Sequence, residues 1–121
     1  MTSTMTALFG WLRQFGLPVY DENDVPEDAE LPYITAPSKE PAWDEKATYY
    51  IEAWYYTKSN APVADKADEI AAAIGTGVRI PCAGGLLVLW PETPLTQIIV
   101  EGNVRRAYIN CLLNAYHCPG Q

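Results

Sequence analysis

The stretch Ala47–Thr57, ATYYIEAWYYT, constrains the fold more than any other part of the chain. Its residues favour a pleated strand, and strand geometry sends alternate side chains to opposite faces. Tyr49, Ile51, Ala53 and Tyr55 then form one face, and Thr48, Tyr50, Glu52, Trp54 and Tyr56 the other. Large side chains stand on both. A sheet containing this strand can hide one face beneath helices. The second face is too aromatic to be left wholly to water in a lone monomer, where contiguous apolar patches are small.

The remaining elements follow from periodicity. Met5, Leu8, Leu12 and Phe15, with Trp11 beside them, make an apolar stripe at helical spacing over residues 4–15, with Gly16 placed to end it. Residues 59–77 read as a second helix. Ser59 or Asn60 precedes it, Pro62 lies in its first turn, Val63, Ala67, Ile70, Ala71 and Ile74 form its stripe, and Gly75 stops it. Strands are expected at 78–82, 84–90 and 104–116, the last alternating Ala107, Ile109, Cys111, Leu113 and Ala115 with Tyr108, Asn110, Leu112 and Asn114. LPVY, 17–20, is a short extended piece. Pro32 and Tyr33 open another strand, because proline fixes its own φ and biases Leu31 toward extended geometry. The expected fold is a single α+β domain over 1–121, with two helices on one face of a largely antiparallel sheet of four to five strands.

Three connections stand out. Residues 21–30, DENDVPEDAE, hold six carboxylates in ten positions and read as a solvated loop. Their spacing does not fit a calcium loop. Residues 36–46 form a proline-rich link carrying Trp43, either folded back or offered to a partner. Residues 91–103 lie between Pro91 and Pro94 at one end and Gly102-Asn103 at the other, around the apolar run Ile98-Ile99-Val100. The segment reads either as a ragged hairpin extension or as a projecting arm that packs on a neighbour. Arg105 and Arg106 at its base are candidates to pair with a carboxylate across a sheet or a subunit boundary, and on the arm reading with carboxylates of a neighbour, those of 21–30 among them.

Chemistry is hard to find. His117 is the lone histidine and lies near the end of the chain. Cys82, Cys111 and Cys118 are odd in number and lack C-x-x-C spacing, so reduced thiols are expected rather than a disulfide scaffold or zinc site. No glycine-rich phosphate loop with a Lys-Ser/Thr step occurs. No catalytic, metal-binding or cofactor-binding residue is assigned. An enzyme would need an unexpected site around His117 or Cys82. A formal net charge of −7 argues against nucleic-acid binding by counterion release and against an anionic membrane surface. The first sixteen residues lack a basic leader before their apolar part, which argues against a signal peptide.

Taken in order, the motifs resemble the tail terminator and tail-completion proteins of long-tailed bacteriophages. The resemblance runs from about Phe15 to Asn110: FGLPVY, then VPEDAELPYIT, the aromatic strand YYIEAWYYT, the helix ADKADEIAAAI, GVRIPCAGG, and the closing RRAYIN. It implies a tail terminator-like fold and a non-enzymatic virion protein of the tail-neck region, assembled in the host cytoplasm. Such a protein forms a ring, commonly a hexamer. It would contact the tail tube protein and a head-completion or connector protein, and phage DNA would pass through its lumen without specific binding. The links 36–46 and 91–103 depart from the pattern. Trp43, Ile98, Ile99, Val100, Arg105 and Arg106 are the candidate interface residues. The competing reading from residues alone is a small ligand-binding or regulatory domain, with Trp54, Tyr56 and Trp90 lining a pocket.

Overall fold

The structure, a computed structural model, describes residues 3–118. The chain runs α1 (Ser3–Leu12), a 3-10 turn (Arg13–Phe15), β1 (Val19–Asp21), β2 (Tyr33–Ala36), β3 (Glu45–Tyr56), α2 (Ala61–Ile74), β4 (Val78–Cys82), β5 (Gly85–Glu101) and β6 (Val104–His117). All strands lie in one six-stranded sheet of order β1-β2-β3-β6-β5-β4. β1 pairs with β2 in parallel and every other pairing is antiparallel.

This corrects the expected four- to five-stranded, largely antiparallel sheet on two points. LPVY is more than an extended link: Val19, Tyr20 and Asp21 pair with Ile34, Thr35 and Ala36, so the acidic segment spans a parallel connection. Three residues hold too little periodicity for that pairing to be legible beforehand. Residues 91–101 form the outer half of β5, where a projecting loop was one of the two readings. The other reading, a ragged hairpin extension, is what the β5–β6 pairing shows, with Pro91 and Pro94 inside the strand. They are tolerated because the β5–β6 register shifts between Pro91 and Thr96, and proline is accommodated at bulges and sheet edges. Asn110 donates from Nδ2 to Pro94 O at 2.8 Å and pins the bulge.

Core formation follows the pleat. Tyr49, Ile51 and Ala53 of β3 lie opposite Cys111, Ile109 and Ala107 of β6, and all six are buried. They form one apolar cluster with Met5, Leu8, Phe9 and Leu12 of α1 and with Val63, Ala67, Ile70 and Ile74 of α2. Both helices therefore share this face. Lys66 of α2 ties the layer to the end of α1, donating to Phe15 O at 2.7 Å and pairing with Glu69 at the same distance. Gly16, at φ 77, ends the 3-10 turn in a conformation glycine adopts without penalty. At α2, Ser59 Oγ accepts from Ala61 N–H at 3.1 Å. Asn60 makes no side-chain cap bond and instead accepts from the Arg105 guanidinium.

Candidate functional site: the uncovered sheet face

Among the described residues, the opposite face of the sheet carries no helix. By register it presents Tyr33 against Trp54, Thr35 against Glu52, Tyr108 against Glu52, Arg106 against Trp54, and Asn110 against Tyr50. Tyr20 packs edge-on against Tyr33, with ring centroids 5.5 Å apart, and Tyr33 lies 6.4 Å from Trp54. Trp54 Nε1–H donates to Thr35 Oγ1 at 2.9 Å, which fixes the indole's orientation.

At the centre of these rings sits Glu52, 5% exposed on a face that has no covering layer. Its cover is supplied by side chains. The Arg106 guanidinium approaches its carboxylate at 3.4 Å and lies 4.8 Å from the Trp54 ring and 5.1 Å from the Tyr108 ring. A second nitrogen of Arg106 reaches Glu101 at 3.7 Å. Arg106 Nε is buried without a hydrogen-bond partner. Burial pushes the Glu52 carboxyl above its usual range, and the nearby guanidinium offsets that only in part. Tyr50 donates its hydroxyl to Glu22 at 2.5 Å, and that bond, with burial, pushes its pKa up to about 12. The same link holds the start of the acidic loop against the sheet. Asp21 takes a hydrogen bond from the Ser38 hydroxyl, which lowers its pKa.

The six candidate interface residues do not gather at one place. Trp43 folds back over the Gly84-Gly85 turn, 5.2 Å from the His117 ring and 40% exposed. A Cβ on Gly85 would stand 2.7 Å from that indole and 2.1 Å from Tyr116 O, so only glycine fits beneath it. Ile98 turns toward the helices opposite Ala107 and packs on the core, Ile99 faces the uncovered side opposite Arg106, and Val100 is 48% exposed. Arg105 is taken up within its own chain. It donates to Thr57 O at 3.2 Å, to Lys58 O at 3.0 Å and to Asn60 Oδ1. Arg106 is likewise held by Glu52 and Glu101 of its own chain. Neither is left waiting for a neighbour's carboxylates.

Sequence reasoning missed Glu52. The available signal was a lone carboxylate inside an aromatic strand, but the register that brings Arg106 to it was not readable. It also missed a shallow depression of about 390 Å³ at the β4 end of the same face, bordered by Gly77, Arg79, Val88, Trp90 and Tyr116. Trp54 and Tyr56 do not border it, so the aromatic trio considered for a ligand pocket is not brought together. Among the described residues no group of three or more His, Cys, Asp or Glu could hold a metal ion, and no helix is long and apolar enough to cross a membrane. All three cysteines are free, and burial pushes the Cys111 thiol up to about 12, which disfavours the nucleophilic thiolate.

No family model and no curated protein matches the chain. One solved structure is similar to it with a TM-score of 0.63 and 17% identity, over 97% of this chain and 93% of that one. At that identity the likeness concerns the fold alone.

Proposed function

We propose that this chain is a structural subunit of a long-tailed phage virion, assembling as a ring that terminates the tail tube and joins it to the head connector. The observation that carries the reading is the uncovered sheet face. A monomer gains nothing from displaying Tyr20, Tyr33, Trp54, Trp90 and Tyr116 on one side of a sheet whose other side already holds a closed core. Tyr and Trp combine apolar area with a polar group, which suits surfaces that bury on assembly. The motif order from Phe15 to Asn110 supports the specific assignment. The hexamer, the tube and connector as partners, and the virion neck as location come with that assignment. The net charge of −7 suits a lumen through which DNA slides without adhering. On this reading the chain catalyses nothing, and His117 serves to stack on Trp43.

The test is the mass of the purified chain by native mass spectrometry, with negative-stain electron microscopy of the same sample. A closed ring of defined subunit number is expected, and adding it to tail tubes should cap one end. A chain that stays monomeric at all concentrations and leaves tubes uncapped refutes the assignment.

A further inference from the structure

We infer that the depression around Arg79, Trp90 and Tyr116 receives the acidic loop 21–30 of a second copy of this chain, joining subunits head to tail. The inference rests on the ring reading and adds which two surfaces meet.

The depression is built to take an anion with an apolar shoulder. Arg79 points to the uncovered face opposite Val88, is exposed, and makes no ion pair among the described residues. Trp90 and Tyr116, 38% and 39% exposed, stand beside it. Trp90 is held in place over Gly77, where a Cβ would stand 2.7 Å from the indole. Other cations are occupied or placed elsewhere. Arg105 and Arg106 are engaged within the chain, Lys66 is held by Glu69 and Phe15 O, Lys39 donates to Thr48 Oγ1, Arg13 lies in the 3-10 turn after α1, and Lys46 and Lys58 do not border the depression.

The complementary surface lies at the far end of the same sheet. Asp24, Glu27, Asp28 and Glu30 are exposed and form no ion pair among the described residues, and Pro26 is exposed between them. The loop cannot reach the depression of its own chain. It is anchored at both ends by β1 and β2, and Glu22 is held by Tyr50. β1 and β4 are the two edges of a six-stranded sheet, five strand spacings or about 24 Å apart. One edge is thus acidic and the other carries an unpaired arginine in an aromatic rim. Contact between two different surfaces of identical chains is heterologous, and repetition of such a contact generates a ring when the rotation closes. The carboxylates would meet the guanidinium and Pro26 would lie on the indole. Strand addition at β4 is disfavoured, because Pro81 offers no N–H along that edge.

The test is a charge exchange read by native mass spectrometry. Arg79→Glu is one variant and Asp24→Lys/Glu27→Lys/Asp28→Lys the other, with circular dichroism confirming that each monomer keeps its fold. Each alone should need roughly tenfold or more protein to assemble, since like charges then face each other at every joint. Mixed together, the two variants should assemble as an alternating ring. Its joints are then either wild type or charge-reversed, and both kinds are complementary. If Arg79→Glu alone assembles as the wild type does, this inference is wrong and the ring reading stands. If both variants fail alone and the mixture fails too, the loop is not the occupant. If the wild type never assembles, the ring reading falls and this inference with it.

Discussion

Replacing Arg106 with Leu would strip Glu52 of its cation while leaving the carboxylate where it is, 5% exposed, and would remove the guanidinium from the Trp54 and Tyr108 rings. At 3.4 Å the pair's attraction is about 5 kcal/mol at an effective dielectric of ~20. The contacts with Trp54 and Tyr108 add about 0.5–1 kcal/mol each. Part of this is offset already by the dehydration that pushes the Glu52 carboxyl up. The expected cost of Arg106→Leu at neutral pH is about 3–5 kcal/mol, the range for breaking one side of a buried pair. Glu52→Gln should cost less, about 1–2 kcal/mol, because Arg106 keeps Glu101 and some solvent.

The folded pKa of Glu52 lies above its unfolded value near 4.5, so its contribution to stability is complete below that value and is lost as pH rises through the folded one. Without Arg106 the folded value climbs further, so the penalty should be larger at about pH 7.5 than at about pH 5. Urea denaturation of wild type, both single variants and the double variant at the two pH values measures this directly. A penalty below about 1 kcal/mol for Arg106→Leu, equal at both pH values, would mean an ordinary solvated surface pair and would refute the reasoning.

Ile70→Asp should unfold the chain, since Ile70 is fully buried between α2 and the sheet and an unpaired charge there costs several kcal/mol, comparable to total stability; an unchanged urea midpoint would contradict it. Ile98→Ser should lower the monomer's stability by about 1–2 kcal/mol, whereas Ile99→Ser/Val100→Ser should leave the monomer's midpoint within about 0.5 kcal/mol and weaken association if the end of β5 meets a neighbour. Gly85→Ala should lower the melting temperature and raise Trp43 exposure in fluorescence quenching, because its Cβ would collide with Tyr116 O at 2.1 Å.

How much of this was legible in the sequence depended on whether the deciding contact was local. The buried stripe Val63, Ala67, Ile70 and Ile74 repeats at helical spacing, and the inward row Ala107 to Ala115 alternates, so both were readable from neighbours in the chain. The two faces of β3 were readable for the same reason. What failed were features fixed by pairing between distant segments. β1 is three residues long and exists through β2. The Glu52–Arg106 pair spans 54 positions and requires the β3–β6 register. The Arg79 depression requires α2's exit, β4 and β5 to be placed together. For Arg105 and Arg106 the sequence leaves open a carboxylate across a sheet or across a subunit boundary, because residue type shows the need for a partner and says nothing about which strand or chain supplies it; Arg106 finds Glu52 across the β3–β6 ladder.

The bulge in β5 sets where this protein can change length. Residues 92–95 of β5 face Asn110 alone on β6, so four positions lie opposite one. On either side the pairing is fixed independently: Leu87 and Leu89 turn to the helices before it and Ile98 after it, an odd residue number giving way to an even one. Deleting one residue inside a regular strand would turn every later side chain to the wrong face. Deleting or inserting one within 92–95 would only shrink or swell the bulge, leaving both flanking registers as they are. Related chains can therefore drift in length at this point while keeping the same core and the same Glu52–Arg106 pair.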